Sequence, residues 1–191
     1  MIGNDVIDLH TAAKESNWRR KGFLDKLFTE KEKKEITESE TPETLVWIFW
    51  SMKEATYKAH QRRFDLSPSY NPKSFSCRFN FENQASGVGE VNVNDLTYFI
   101  KTTITNSFVY SIACAFASAE IRTGIGNPGQ AKPELTKVIS ENKNISEENI
   151  EIKKDQNFIP HYYFYGSRSS LNFSFSHHGN FSAYAYELRN I

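Results

Sequence analysis

The sequence has few cysteines, no net charge and no long apolar run. Two of its 191 residues are cysteines, and their positions match neither a metal site nor a disulfide framework. Lysine plus arginine equals aspartate plus glutamate, 23 against 23, so the overall charge predicts no nucleic-acid or membrane partner. The longest apolar run, residues 108–119, is too short to span a bilayer, and no secretory signal opens the chain. We therefore expect a cytoplasmic protein.

Aromatic residues, in contrast, are abundant. Fifteen Phe, nine Tyr and three Trp make aromatic burial a large part of the core and favour β structure. A chain of this length can form one good core or two small modules packed together. Alternating apolar segments and one strong helix predict an α+β fold, with antiparallel sheets packed on a long helix.

Helical patterns occur in the first third of the chain. Residues 15–40 are predicted to be helical, and Thr29 with Glu32 matches the capping box of a second short helix. The strongest helix is predicted over residues 41–63, where Thr41 can cap the first turn. Apolar residues at spacings of three and four give this helix a core-facing stripe: Leu45, Ile48, Phe49, Met52, Ala55 and Ala59.

Strand patterns follow, in two groups. An antiparallel meander is predicted over residues 74–117, with a break near Asn94 and Asp95. Glycine and proline concentrate in residues 123–133, which predicts a linker between a first lobe, 1–122, and a second, partial lobe, 134–191. The second lobe is predicted to contain a short helix, a strand pair and a hairpin over residues 171–188.

The stretch GNDVIDLH, residues 3–10, raises a question about one carboxylate. Val6 and Ile7 favour an opening strand, yet aspartate is a poor strand residue. One interpretation places Asn4 and Asp5 in a surface turn, where short side chains bond to their own backbone. The other interpretation gives Asp5 a function, and the octamer alone leaves both open.

The helix predicted over residues 41–63 has a second face with Trp47, Trp50, Glu54 and Lys58. In the simplest interpretation Glu54 and Lys58 form a surface pair that stabilises the helix by about 0.3–0.5 kcal/mol. Two tryptophans on the same face are unusual for a purely solvated surface. A functional face is therefore the alternative.

Four segments together resemble the signature of the 4′-phosphopantetheinyl transferase superfamily. GNDVID is similar to the family's G-x-D strand, and WSMKEATYKA, residues 50–59, to its [FW]-x-x-K-E-A-x-x-K helix. WRRKGFLDKLFTEKE, residues 18–32, resembles the segment between these motifs. FSFSHHGNFSAYA, residues 173–185, resembles the family's S-[IL]-[ST]-H-[ST]-x-x-[YW]-x-x-A strand. Four motifs in the family's order are more specific than any one of them.

The resemblance implies two pseudo-related lobes and a reaction that moves 4′-phosphopantetheine from coenzyme A to a serine of an acyl or peptidyl carrier protein. It implies Asp5 and Glu54 as ligands of Mg²⁺, or of Mn²⁺, since a hard cation on a diphosphate takes one or two carboxylates. Glu54 is then a candidate general base, directly or through a water, and Lys58 places an ammonium at the leaving group. Lys53 and Lys58 are expected to bind coenzyme A phosphates.

Two further groups of residues are implied by the resemblance. His177 matches the family histidine that contacts a coenzyme A phosphate, and His178 is expected to face the opposite way on a strand. A basic cluster is implied as the carrier-binding surface: Arg19, Arg20, Lys21 and, at its edge, Lys26. A solvated, charged helix face is the alternative interpretation of this cluster.

Three positions depart from the family pattern. Ile7 stands where some members have a third acidic ligand, so two carboxylates completed by water are expected. The G-K-P element reads FIP at residues 158–160 and lacks its lysine, and His178 replaces Ser or Thr. Two alternatives stay open: a non-catalytic protein that binds coenzyme A or a carrier, and a metal-dependent phosphohydrolase acting on coenzyme A.

The order of the motifs bears on the oligomeric state. The histidine motif comes last, as in the short trimeric members, although this chain is longer than those. An extended linker, at about 3.3 Å per residue, would let the hairpin fold back onto the first lobe. We therefore expect a site closed within one chain and favour a monomer over a trimer.

Overall fold

The computed structural model describes residues 1–188, which form a mixed α+β architecture of antiparallel sheets and five helices. The helices are α1 Leu9–Glu15, α2 Phe23–Leu27, α3 Glu30–Glu38, α4 Pro42–Phe64 and α5 Ala131–Lys143. Single-turn 3₁₀ helices lie at Pro72–Ser74 and Glu147–Asn149. No helix in this part of the chain has both the length and the apolar character to cross a membrane.

Eleven strands within residues 1–188 form three antiparallel sheets. The strands are β1 Ile2–Asp8, β2 Ser76–Asn83, β3 Ser86–Val93, β4 Leu96–Ile104, β5 Phe108–Cys114, β6 Ile121–Gly126, β7 Ile150–Lys154, β8 Pro160–Phe164, β9 Ser167–Arg168, β10 Phe173–His178 and β11 Phe181–Glu187. The strand orders are β1-β5-β4-β3-β2, β10-β11-β6 and β7-β8-β9. The predicted meander is β2 to β5, and β1 extends it by pairing with β5.

The helix α4 packs against β1 and β5 of the largest sheet. Pro42 stands in its first turn, whereas the side chain of Thr41 makes no capping hydrogen bond. The six residues of the predicted core stripe are all buried, which confirms that prediction. A Cβ at Gly3 would overlap the carbonyl oxygen of Ala55, so glycine lets β1 approach α4 closely.

The predicted helical region over residues 15–40 is divided into shorter pieces. The capping box is confirmed, because Thr29 Oγ1 accepts from the Glu32 N–H at 3.3 Å and Glu32 Oε2 accepts from the Thr29 N–H at 2.7 Å. Before α2 the helix is interrupted, since Asn17 Oδ1 accepts from the Arg19 N–H and Gly22 adopts φ +81°. These local turns end the helical pattern that the sequence suggested.

The predicted break in the meander and the predicted hairpin over residues 171–188 are both confirmed. Asn94 and Asp95, with φ of 47° and 60°, join β3 to β4, in keeping with the tolerance of short polar side chains for left-handed conformations. Gly179, with φ of 52°, and Asn180 join β10 to β11. A Cβ at Gly179 would overlap the carboxylate of Asp8, so the tip of this hairpin lies against the end of β1.

Buried apolar residues form two main clusters. The first is built from residues 7–115, between α4 and the largest sheet. The second is built from residues 131–188, beneath α5. A small third cluster of Val6, Tyr110 and Ala183 joins β1 and β5 to β11. The strand β1 therefore lies at the contact between both main clusters.

The segment predicted as a linker, residues 123–133, is mostly regular structure. Residues 123–126 belong to β6, which pairs with β11, and residues 131–133 begin α5. Gly124 is required by packing, because a Cβ there would overlap the ring of Tyr184. The segment is therefore not the extended linker that the sequence suggested. Instead, the pairing of β6 with β11 fixes the position of the residues that follow.

Candidate active site

A cleft of about 300 Å³ lies where β1, α4, the α1–α2 region and the end of β10 meet. Its lining includes Asp5 from β1, Glu54 from α4 and His177 from β10. Much of the remaining wall is apolar: Ile7, Ala12, Phe23, Leu27, Trp47 and Trp50. Three residues predicted from different motifs therefore share one cleft, and they come from the first 54 residues and from the β10–β11 hairpin of one chain.

Asp5 of the cleft forms an ion pair with Lys58, which lies behind it and is not itself one of the described residues that line the cleft. Lys58 Nζ donates to Asp5 Oδ1 and to the carbonyl oxygen of Asn4, both at 3.0 Å. Burial raises the pKa of Asp5 above its ordinary value, against the opposing charge of Lys58. Asp5 lies inside β1, opposite Ser111 of β5, which excludes the surface-turn interpretation.

The carboxyl group of Glu54 lies one helical turn before Lys58. Burial, and after it the charge of Asp5, raises the pKa of Glu54 to about 7, although Lys58 acts in the opposite direction. Lys58 forms its ion pair with Asp5, so the simple surface pair with Glu54 is not what this lysine makes. A carboxyl group that titrates near neutrality can accept a proton in catalysis.

The two partly buried carboxyl groups suit a divalent cation. Burial penalises the charge of each, and the charge of Asp5 adds to the penalty on Glu54. A cation beside both would remove these penalties. Within residues 1–188 no group of three or more His, Cys, Asp or Glu side chains is placed to hold a metal. A pair of carboxylates nonetheless fits Mg²⁺, which keeps several waters.

The hairpin that carries the histidines is anchored by Asp8. The Asp8 carboxylate accepts hydrogen bonds from Asn180 N and Nδ2 and from Thr11 N and Oγ1, at 2.9–3.1 Å. Burial alone would raise the pKa of Asp8, but these hydrogen bonds outweigh it and lower the pKa to about 2. The sequence interpretation missed this role, although an aspartate directly before a helix is an N-cap signal.

The adjacent histidines have different surroundings. Both histidines line the cleft, although His178 was expected to face the opposite way; His177 is exposed there, whereas His178 is half-buried. His178 Nδ1 accepts a hydrogen bond from the Asp8 N–H at 3.0 Å, which ties this ring to the end of β1. The ring of His177 is therefore the more accessible of the two to a ligand.

Comparison with known proteins decides the family. A family model of the 4′-phosphopantetheinyl transferase superfamily matches residues 1–115, more than half of the chain. The chain belongs to that superfamily. A search among curated proteins found no match. The matched residues include Asp5, Glu54 and Lys58, whereas His177 lies beyond them.

The first lysine of the transferase helix motif, Lys53, does not reach the cleft. Its side chain is completely buried, with Nζ 2.9 Å from Glu32 Oε2. The same ammonium donates to the carbonyl oxygens of Pro72 and Phe75. An ammonium has three donors, and all three are used here inside the protein. The structure therefore corrects the predicted phosphate contact: Lys53 joins α4 to α3 and to the segment after α4.

The predicted carrier-binding cluster of this transferase chain lies outside the cleft, just before α2. Arg19, Arg20 and Lys21 are exposed, and so is Lys26. The guanidinium carbon of Arg20 lies 6.0 Å from the ring centre of Phe23, which lines the cleft. The cluster therefore borders the cleft, and its role in carrier binding stays a prediction.

A buried polar network joins β1 to β10 beside the cleft. The Asn4 N–H donates to Ser174 Oγ at 3.1 Å, and Asn4 Nδ2 donates to Ser176 Oγ at 3.0 Å. The hydroxyl of Tyr110 donates to the carbonyl oxygen of Tyr184 at 3.0 Å. Sequence reasoning did not select Asn4 as a contact residue, because its partners lie about 170 residues away.

Proposed function

We propose that the protein is a Mg²⁺-dependent transferase that moves 4′-phosphopantetheine from coenzyme A to a serine of an apo carrier protein. One observation carries this proposal. Asp5, Glu54 and His177 come from three motifs, two near the start of the chain and one in the β10–β11 hairpin, and they line the same cleft. Membership of the 4′-phosphopantetheinyl transferase superfamily supports the reaction class.

Charged side chains of the cleft are suited to a diphosphate substrate. Asp5 and Glu54 are the residues that would hold Mg²⁺ or Mn²⁺, and the bound cation would neutralise the diphosphate oxygens. Lys58, already at Asp5, provides an ammonium for the phosphate that gains charge as it leaves. His177, exposed at the cleft, is suited to contact a phosphate of coenzyme A.

Glu54 is suited to receive the proton of the attacking serine, because its carboxyl group lines the cleft and a bound cation would keep it ionised and able to accept a proton. The serine oxygen attacks the phosphorus that bears the pantetheine arm, and the bond to 3′,5′-ADP breaks. The proton passes from the serine to Glu54, directly or through one water.

The arrangement of the chain suggests how the partners bind. The basic cluster borders the cleft, so a carrier protein with acidic residues around its serine could dock there and present the serine to Glu54. The two main apolar clusters are consistent with two pseudo-related lobes. Since residues within 5–54 and the histidine hairpin of the same chain line the cleft, we favour a monomer over a trimer.

The proposal is tested by incubating the protein with coenzyme A, Mg²⁺ and apo carrier proteins of fatty-acid, polyketide and peptide synthesis. We expect at least one carrier to gain the mass of 4′-phosphopantetheine, measured by intact-mass spectrometry. EDTA should stop the reaction until Mg²⁺ or Mn²⁺ is restored. A carrier whose acceptor serine is replaced by alanine is the matched control and should gain no mass.

Two other results would replace this proposal. Release of 4′-phosphopantetheine without any carrier would indicate the phosphohydrolase. Binding of coenzyme A or a carrier without either product would indicate the non-catalytic protein. Ile159 occupies the position of the G-K-P lysine and is buried, so that lysine is missing as a contact for coenzyme A. Its absence is the observation that favours the non-catalytic protein.

A further inference from the structure

A tyrosine close to Glu54 has a hydroxyl that the fold leaves without a partner. Tyr70 lies in the segment between α4 and the 3₁₀ helix at Pro72–Ser74. Its hydroxyl is shielded from solvent and has no hydrogen-bond partner among residues 1–188. A buried hydroxyl without a partner has lost its bonds to water and gained nothing in return, so such groups in native proteins need an explanation.

The ring of Tyr70 is held over the part of α4 that carries Glu54. Its centre lies 5.9 Å from that of Trp50 and 4.7 Å from that of Tyr57. Trp50, Glu54 and Tyr57 follow one another at spacings of four and three, so they form one stripe along the helix. The ring of Tyr70 contacts the first and last members of this stripe, and helical periodicity places Glu54 between them on the same face.

Further contacts hold Tyr70 in this position. The ring of Phe75 lies 5.6 Å away, on the strand side of the segment. The carbonyl oxygen of Pro72, two residues on, accepts a hydrogen bond from the buried Lys53. The side chain of Asn71 accepts from the Lys73 N–H and makes the intervening turn. The phenol is therefore presented to α4 by a segment that is itself bonded to the core.

The charged groups near the hydroxyl of Tyr70 also indicate Glu54 as its neighbour. Burial raises the pKa of Tyr70, and Glu54 is the first of the charged groups that raise it further, followed by Asp5. A phenol has an ordinary pKa of about 10 and keeps its proton at physiological pH, so Tyr70 is a hydrogen-bond donor. A charged carboxylate is the acceptor with which such a donor bonds most strongly.

We propose that Tyr70 is a positioning residue for Glu54, and that its hydroxyl donates a hydrogen bond to the Glu54 carboxylate in the loaded site. This inference rests on the proposed function. The bond would fix one carboxylate oxygen and leave the other directed at the cation or at the serine proton. A donor already held by three aromatic rings needs little further ordering to form it.

The test compares Tyr70→Phe with Tyr57→Phe. The first variant removes the unpartnered hydroxyl and keeps the ring, and the second removes a hydroxyl from the same aromatic cluster. For each we would measure kcat, KM for coenzyme A, the thermal midpoint and Mn²⁺ affinity by titration calorimetry. Tyr70→Phe should lower kcat about tenfold and weaken Mn²⁺ binding about threefold or more, with KM within about twofold. Its thermal midpoint should stay the same or rise, because an unpaired buried hydroxyl has been removed.

The control Tyr57→Phe should match the wild type in kcat and Mn²⁺ affinity. Unchanged kcat and Mn²⁺ affinity in Tyr70→Phe would overturn the inference, as would equal losses in both variants. If the wild-type protein transfers nothing, the proposed function fails separately. Mn²⁺ affinity then decides the role of Tyr70 alone: weaker binding in Tyr70→Phe supports it, and equal binding rejects it.

Discussion

Glu54 links the chemistry of the cleft to the pH dependence of stability. Its pKa is raised from 4.5 to about 7, mainly by burial. Between these pH values the folded protein keeps a proton that the unfolded chain has lost, so unfolding releases a proton. The free energy of unfolding of the metal-free protein should therefore fall as pH rises from about 4.5 to about 7. The full loss is on the order of 3 kcal/mol.

Glu54→Gln is predicted to abolish transfer and to remove this pH dependence. Glutamine has nearly the same shape and cannot ionise, so the metal-free variant should be more stable than the wild type at pH 8 by on the order of 2–3 kcal/mol. Urea unfolding at pH 5 and pH 8 measures the stability, and intact mass measures the transfer. Glu90→Gln, on β3 outside the cleft, is the control for both measurements.

The two measurements can fail independently. Full transfer by Glu54→Gln would reject both the metal ligand and the general base. A pH dependence equal to that of the wild type would reject the buried, neutral carboxyl group, whatever the activity.

At the scale of helices, the pair Lys53–Glu32 joins α4 to α3 inside the protein. Replacing Lys53 by Met would leave the Glu32 carboxylate buried without its cation, which typically costs about 3–5 kcal/mol. We predict a lower thermal midpoint for Lys53→Met and an unchanged KM for coenzyme A in the folded fraction. Adding Glu32→Gln should recover part of the stability, because the uncompensated charge is then removed. A raised KM for coenzyme A with normal stability would instead indicate that Lys53 binds a phosphate of coenzyme A.

The segment before α2 carries the predicted carrier surface. Reversal of charge in the double variant Arg19→Glu, Arg20→Glu should raise the KM for the carrier about tenfold or more at low salt, and less at high salt. The KM for coenzyme A should not change, because these side chains lie outside the cleft. The double variant Arg122→Glu, Lys132→Glu, with exposed residues in the second part of the chain, is the control. An unchanged KM for the carrier would indicate that the cluster is an ordinary solvated surface and does not bind the carrier.

Elements whose contacts are close in the chain could be predicted from the sequence. The capping box of Thr29 and Glu32 and the turn at Asn94 and Asp95 depend on neighbours within a few residues, so their patterns were sufficient. The strand β6 could not be recognised in this way, since it exists through its pairing with β11 some sixty residues later.

The same distinction applies to the site. Motif spacing selected Asp5, Glu54 and Lys58, but it could not tell which lysine of α4 faces a carboxylate. Helical periodicity shows that Lys53 and Lys58 point in different directions. It does not show that Glu32, on another helix, receives Lys53. Asp8 and Asn4 escaped selection for a related reason, because their partners lie in the distant β10–β11 hairpin.

At the scale of the whole molecule, closure of the cleft within one chain can be tested by mixing two variants. Glu54→Gln and His177→Ala should each be inactive, and the mixture should also be inactive, because each cleft combines residues of a single chain. Transfer activity and solution molar mass are the measurements, with circular dichroism to show that both variants are folded. Activity that returns on mixing would mean that subunits exchange the histidine hairpin.

The hydrogen bond from Asn4 to Ser174 has a consequence for the nascent protein. Ribosomes make β1 first, and β5 can pair with one side of it once Cys114 has emerged. Ser174 follows sixty residues later, which takes roughly 3–12 s at ordinary rates of synthesis. During that time the other edge of β1 is uncovered, and an uncovered strand edge can pair with another chain. The growing chain is therefore most open to aggregation, and to capture by a chaperone, in the seconds before β10 arrives.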